Sequence, residues 1–243
     1  MIVPNVRSSF GRAEAAYLVW LLARGSESDR DREEHRLREN GLDDILDDPR
    51  TFNAIMAGPG LSTAPARLVF YLLVRHAMLE DGLDDRAVTD YLAALLVAFG
   101  NGHRAFTADA QDTELLYLTD ILAAADAASG RREFLLRVHL GEFALWLSGL
   151  FPDFISQRVH RRGAPGLDYY EQLGATGFRQ AARFADAERH GLDLLYRRCA
   201  DTFPALRIAL NRISDRHLFP ASGDRIDRLL RQVADEFDRK PPN

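Results

Sequence analysis

The sequence predicts an all-α protein, a single domain of roughly nine helices built around one buried central helix. Apolar residues recur at intervals of three and four in most segments, as they do on the buried face of a helix. No segment alternates apolar and polar residues between hairpin turns, as a strand would. The predicted central helix spans positions 131 to 151, and from Phe134 to Phe151 it is apolar on nearly all sides of a helical wheel, which is typical of a helix surrounded by others.

The composition is that of an ordinary globular protein. The chain has 243 residues, of which 47% are apolar and 28% are charged, and its net charge is -5. Mild acidity argues against general nucleic-acid binding. Only one of the 31 basic residues is a lysine, Lys240, and this bias indicates the codon usage of a GC-rich bacterial genome. A single cysteine, Cys199, excludes a disulfide within the chain and a zinc site built on cysteines, which suits the reducing cytoplasm.

The longest apolar runs are far shorter than the roughly 18 residues of a membrane span, so we expect no transmembrane segment. Positions 1 to 243 are therefore predicted to form one cytoplasmic domain.

The first predicted helix covers residues 12 to 24. Its spacing predicts a buried stripe that consists of Ala13, Ala16, Tyr17, Trp20 and Leu21. Positions 25 to 41 are almost wholly charged, and they predict either an exposed helix with many ion pairs or a linker. The next predicted helices are two short ones near 42–47 and after Pro49, followed by longer ones near 63–80, 88–99 and 112–128.

Beyond the central helix, Pro152 predicts the start of a helix that ends at the Gly-Ala-Pro-Gly turn, 163–166. Asp168 and Glu171 have the spacing of a capping box, which predicts a helix from Tyr169.

Apolar residues then keep a spacing of three and four from Phe178 to Ile213. Because this register continues across Gly191 and Pro204, it predicts one long helix or two nearly collinear ones, with Glu188 on the face toward the central helix. A last helix near 226–237 and a frayed tail at 239–243 complete the chain.

One candidate site lies on the central helix. His139 and Glu142 share a face there, and Asp186, Glu188 and His190 on the predicted long helix could lie opposite. Helical bundles hold di-iron or di-manganese centres with such side chains, but they use the pattern Glu-x-x-His twice, whereas this chain has His-x-x-Glu once. The favoured interpretation is therefore a buried His–Glu hydrogen bond without a cofactor. A site for iron, manganese, zinc or an apolar ligand is the alternative.

A second candidate is the acidic segment 43–48, Asp-Asp-Ile-Leu-Asp-Asp. It resembles the aspartate-rich motif of the all-α prenyl-diphosphate synthases, in which such carboxylates hold magnesium against a diphosphate. That family pairs two acidic motifs, and Asp84-Asp85 is not followed by a third aspartate at the right spacing. The sequence favours the simpler interpretation, in which these aspartates cap short surface helices.

The third candidate is a basic cluster at the end of the helix that starts at Pro152. It consists of Arg158, His160, Arg161 and Arg162, with Tyr169 and Tyr170 nearby. Arginine side chains bind carboxylates and phosphates through paired hydrogen bonds and stack on aromatic rings. The alternative is a solvated helix end, where cations interact favourably with the helix dipole.

These features lead us to expect a non-enzymatic interaction or regulatory protein, whose basic cluster binds an acidic protein partner or an anionic ligand. The competing hypothesis is a helical-bundle enzyme or binding protein with a metal or apolar ligand near His139, Glu142 and His190.

Overall fold

The predicted all-α class is confirmed. The computed structural model describes residues 1–57, 63–100 and 117–218, without the side chains of Ser156, His160 and Arg162. Within these ranges the chain forms thirteen α-helices and no strand. In chain order they are α1 Arg12–Ala23, α2 Glu27–Asn40, α3 Leu42–Leu46, α4 Pro49–Met56, α5 Ala66–Glu80, α6 Arg86–Phe99, α7 Leu118–Ala127, α8 Gly130–Leu150, α9 Pro152–Arg162, α10 Leu167–Ala181, α11 Ala185–Arg189, α12 Asp193–Asp201 and α13 Phe203–Ile213. The predicted helix at 226–237 and the tail at 239–243 lie outside the described residues.

The chain divides into two compact units, Ile2–Val97 and Ala98–Asn243 together with Met1, here called the N-terminal and C-terminal units. The single-domain organisation stays a prediction.

Helix α8 is the centre of the C-terminal unit, as predicted. Every residue from 136 to 150 is buried, and α8 packs against α7, α10 and α13. The contact with α10 is close because a glycine lies at the crossing. A Cβ atom added to Gly177 would lie 2.8 Å from the carbonyl oxygen of Arg137 and 2.9 Å from the backbone nitrogen of Gly141. Glycine therefore allows the two helix backbones to touch.

The prediction of one or two long helices between Phe178 and Ile213 is wrong. The stretch folds as the end of α10 followed by α11, α12 and α13. Gly191 adopts a left-handed conformation, with φ +65°, and turns the chain between α11 and α12. Pro204 lies in the first turn of α13, where its missing N–H costs nothing. Apolar spacing reports which face is buried, and it persists across such turns.

Helix α10 also begins earlier than predicted. It starts at Leu167, with Gly166 as its N-cap, instead of at Tyr169. The backbone N–H of Tyr169 already donates to the carbonyl oxygen of Gly166 at 3.1 Å. The first turn is thus closed by the backbone, and Asp168 lies inside it.

In the N-terminal unit, the predicted buried face of α1 is wrong. The structure buries Leu18, Val19 and Ala23, whereas the side chain of Trp20 is 64% exposed. Helix α1 is apolar on almost all sides, so residue spacing alone does not identify the face that packs.

The charged segment 25–41 is helical, as one of the two predictions stated. It forms α2, whose N-cap Ser26 accepts a hydrogen bond from the backbone N–H of Asp29 at 3.3 Å. One charged residue of this helix, Glu33, is buried.

No single helix in the described ranges is long and apolar enough to cross a membrane. Among the described segments, only α8 taken together with Pro152–Val159 reaches that length and composition, and these two segments are bent by 93°.

Candidate functional site

The basic cluster lies on α9, which has the predicted bounds. Pro152 occupies its first turn, and Gly163 ends it in a left-handed conformation with φ +60°. The N–H of Gly163 donates to the carbonyl oxygen of Val159 at 3.0 Å. The side chain of Arg161 is exposed. The predicted roles of the His160 and Arg162 side chains fall outside the described part of the structure.

Arg158 is half-buried against aromatic rings, unlike the solvated helix end that was the alternative interpretation. Its guanidinium carbon lies 5.7 Å from the centre of the Tyr117 ring and 5.5 Å from that of Phe154. Both distances are within the range of cation–π attraction, about 6 Å. Burial raises the pKa of Tyr170, and the charge of Arg158 acts in the opposite direction. Arg158 is therefore a cation held between two aromatic rings, close enough to Tyr170 for its charge to act on that side chain.

The two tyrosines predicted as stacking partners pack on each other. The ring centres of Tyr169 and Tyr170 are 6.1 Å apart and the ring planes are at 86°, an edge-to-face arrangement that aromatic pairs favour. Both side chains are half-buried. We call Tyr117, Phe154, Arg158, Arg161 and Tyr170 the arginine–aromatic surface.

The five residues of the predicted metal site do not come together. His139 and Glu142 are buried in α8, whereas Glu188 and His190 are exposed at the end of α11. Asp186 pairs with Arg189 at 3.0 Å. Within the described ranges, no group of three or more histidine, cysteine, aspartate or glutamate side chains could hold a metal ion. Glu188 lies outside the buried face because the predicted long helix is broken into short ones.

His139 is buried among apolar side chains, as predicted. The ring centre of Phe143 is 6.0 Å away. The Nε2 atom of His139 finds no hydrogen-bond partner among the described residues, so the predicted hydrogen bond is not formed at this atom. Burial lowers the pKa of His139 to about 3. The imidazole is thus neutral at physiological pH.

Glu142 is buried three residues further along α8. Burial, and then the charge of Glu142, raises the pKa of Tyr196 on α12. The charge of Glu142 therefore acts on the hydroxyl of Tyr196, which lies in the stretch predicted to form the long helix.

The lowered pKa of His139 gives a testable pH dependence. The unfolded chain binds a proton at His139 below about pH 6.5, while the folded protein stays neutral there down to about pH 3. Between these values the unfolded state holds more protons, so stability falls as the pH falls. Between pH 7 and pH 5, His139 should lower the free energy of unfolding of the wild-type protein by about 2 kcal/mol. A variant with leucine in place of His139 should lack this part of the loss. Urea denaturation of both proteins at the two pH values measures this difference, and identical losses would contradict it.

The acidic segment Asp43–Asp48 takes part in a network of ion pairs that the sequence did not reveal. Asp43 contacts Arg7 at 2.6 Å and Arg86 at 3.1 Å. Asp47 accepts two hydrogen bonds from Arg75, at 2.7 and 2.9 Å, and it contacts Arg86 at 2.6 Å. Because these arginines are 28 to 43 positions away in the chain, no local pattern predicts the pairs.

The other two aspartates of the segment are paired as well. Asp44 contacts Arg36, and Asp48 contacts both Arg36 at 2.5 Å and Arg50 at 2.7 Å. Burial works to raise the pKa of Asp48, but hydrogen bonds from Arg50 and Arg36 outweigh it and lower this pKa to about 2. Asp48 also caps α4 as predicted, by accepting from the backbone N–H of Arg50 at 2.7 Å. All four aspartates thus bind arginines, an arrangement unlike the magnesium-binding motif that the segment resembles.

Comparison with known proteins identifies no relative. No protein-family model matches the chain, and no curated protein or solved structure is significantly similar to it.

Proposed function

We propose that this chain is a non-enzymatic helical interaction protein that binds an acidic segment of a protein partner through the arginine–aromatic surface. The observation that carries the proposal is the position of Arg158, whose guanidinium lies against the rings of Tyr117 and Phe154. We infer an acidic partner because a guanidinium is a cation that binds carboxylates.

A guanidinium held beside aromatic rings can donate N–H groups to the oxygens of a carboxylate. Stacking also restricts the side chain before binding. Arginine normally loses considerable rotamer freedom when it is immobilised, so a restricted Arg158 binds at a smaller entropic cost.

Arg161 supplies a second cation. It is three residues from Arg158 on α9 and therefore lies on the same side of the helix, and it is exposed. The protein as a whole carries a net charge of -5. A local positive surface on an acidic protein orients an acidic partner and repels it elsewhere, which supports specificity more than affinity.

We expect a variant with Arg158, Arg161 and Arg162 all changed to glutamine to bind an acidic peptide at least about tenfold more weakly, because a tenfold change corresponds to about 1.4 kcal/mol and charge-assisted hydrogen bonds contribute at least that much. The probe is a fluorescein-labelled glutamate-rich peptide, followed by fluorescence anisotropy at low ionic strength. Circular dichroism should show that the variant stays folded, since glutamine keeps much of the length of each side chain and the exposed Arg161 contributes little to stability.

The matched control changes Arg12, Arg30 and Arg38, three exposed arginines of the N-terminal unit, to glutamine. This variant has the same net charge as the first one. We expect it to bind the peptide nearly as well as the wild type. Equal losses in the two variants would mean that the peptide senses only net charge, and the proposal would then fail.

A further inference from the structure

A cleft in the N-terminal unit gathers charged residues that the sequence did not single out. Its volume is about 290 Å³, near the lower end of small-molecule sites. The end of α1, the first half of α2 and the start of α4 line it with Leu22, Arg24, Asp29, Arg32, Glu33 and Arg50. Three arginines and two carboxylates leave one positive charge among the lining residues.

Arg24 holds a backbone conformation that favours glycine. It caps the C-terminus of α1 in the left-handed region, with φ +49° and ψ +32°, and it is the only residue other than glycine with positive φ in the described ranges. Glycine is the common residue at this position of a helix, because a Cβ atom is strained there. In the described part of the chain no carboxylate pairs with Arg24. A strained arginine thus lies beside a cleft with its charge unneutralised, which is the kind of outlier that points to function.

Arg50 also lines the cleft and is anchored by two carboxylates. Glu33, whose side chain is only 3% exposed, contacts the guanidinium at 3.2 Å, and Asp48 contacts it at 2.7 Å. The Arg50 side chain is nevertheless 57% exposed, so its remaining N–H groups can reach a ligand. Arg32 contacts Asp29 at 2.8 Å.

We propose that this cleft binds a small molecule through one oxyanion group, a carboxylate or a phosphate. Arg24 supplies the unneutralised charge, and Arg50, held by Glu33 and Asp48, donates further hydrogen bonds. Arginine binds both oxyanions through paired N–H groups. Leu22 offers an apolar contact for the body of the molecule.

The variant Arg24→Gly tests the proposal, because it removes the cation while relieving the backbone strain. Isothermal titration with inorganic phosphate and, separately, with succinate should give saturable binding to the wild-type protein at constant ionic strength. The stronger of the two anions identifies the ligand class. We expect Arg24→Gly to weaken the binding at least about tenfold, which corresponds to one lost charge-assisted contact. The melting temperature of this variant should be unchanged or higher.

Two further variants complete the test. Arg50→Gln should also weaken binding, whereas Arg38→Gln, an exposed change on α2 outside the cleft, should bind like the wild type. The proposal is overturned if neither anion binds saturably beyond a sodium chloride control of equal ionic strength. It is equally overturned if Arg24→Gly and Arg50→Gln bind as tightly as the wild type.

Discussion

Replacing Asp47 with alanine is expected to lower the free energy of unfolding by about 3 kcal/mol, because it leaves a buried cation without its main partner. The Arg75 side chain is only 1% exposed and makes two hydrogen bonds to Asp47. The hydrogen bonds to Asp47 raise the pKa of Arg75, and they outweigh burial, which acts to lower it. Arg75 therefore stays charged and cannot avoid the cost of an unpaired buried charge by losing its proton. Urea denaturation at pH 7 measures the change.

Two controls separate this explanation from a general effect of lost surface charge. Asp84 also contacts Arg75, at 2.6 Å, but its side chain is 73% exposed. Asp84→Ala should therefore cost less than about 1 kcal/mol. Changing Arg75 to methionine in the Asp47→Ala background should recover part of the lost stability, since it removes the unpaired buried charge. A loss below about 1 kcal/mol for Asp47→Ala alone would contradict this explanation, because it would show that Asp84 or water compensates the charge of Arg75 without Asp47.

The second large effect is expected at the crossing of α8 and α10. Gly177→Ala should lower the free energy of unfolding by about 3 kcal/mol, at the upper end of the usual cost of overpacking. The added Cβ atom would lie within 3 Å of two backbone atoms, the carbonyl oxygen of Arg137 and the nitrogen of Gly141. Backbone atoms within helices cannot turn aside as a side-chain tip can, so the two helices must separate.

The control for this prediction is Gly166→Ala. Gly166 is the N-cap of the same helix, with φ -82°, and a Cβ atom there meets nothing within 4 Å. We expect a cost below about 1 kcal/mol, typical of a changed N-cap. Urea denaturation of both variants gives the comparison. Equal stabilities would mean that α8 and α10 adjust freely at their crossing.

The sequence predicted most of the helices because apolar spacing and breaker residues are local signals. Helix α8 was identified within one residue at either end because its residues are apolar on every side. The same property misled the prediction for α1, where both the exposed Trp20 and the buried Leu18 and Val19 fit a helical stripe. Which apolar face packs depends on neighbours that are distant in the chain.

The candidate site was predictable only where local signals define it. The bounds of α9 follow from Pro152 and Gly163, both local signals. The contact of Arg158 with Tyr117, 41 positions earlier, follows from tertiary packing and has no signature in the sequence. The ion pairs of segment 43–48 are equally non-local.

The most direct test of the proposed function is to map where an acidic peptide binds. Two-dimensional ¹H–¹⁵N NMR spectra recorded during titration with the glutamate-rich peptide locate the contact residue by residue. We predict that the largest amide shifts fall on α9 and around Tyr117 and Tyr170, and that 0.5 M salt reduces them strongly, because added salt screens the charges involved. Shifts confined to other helices, or no saturable shifts on α9 at low salt, would contradict the assignment of an acidic partner to the arginine–aromatic surface.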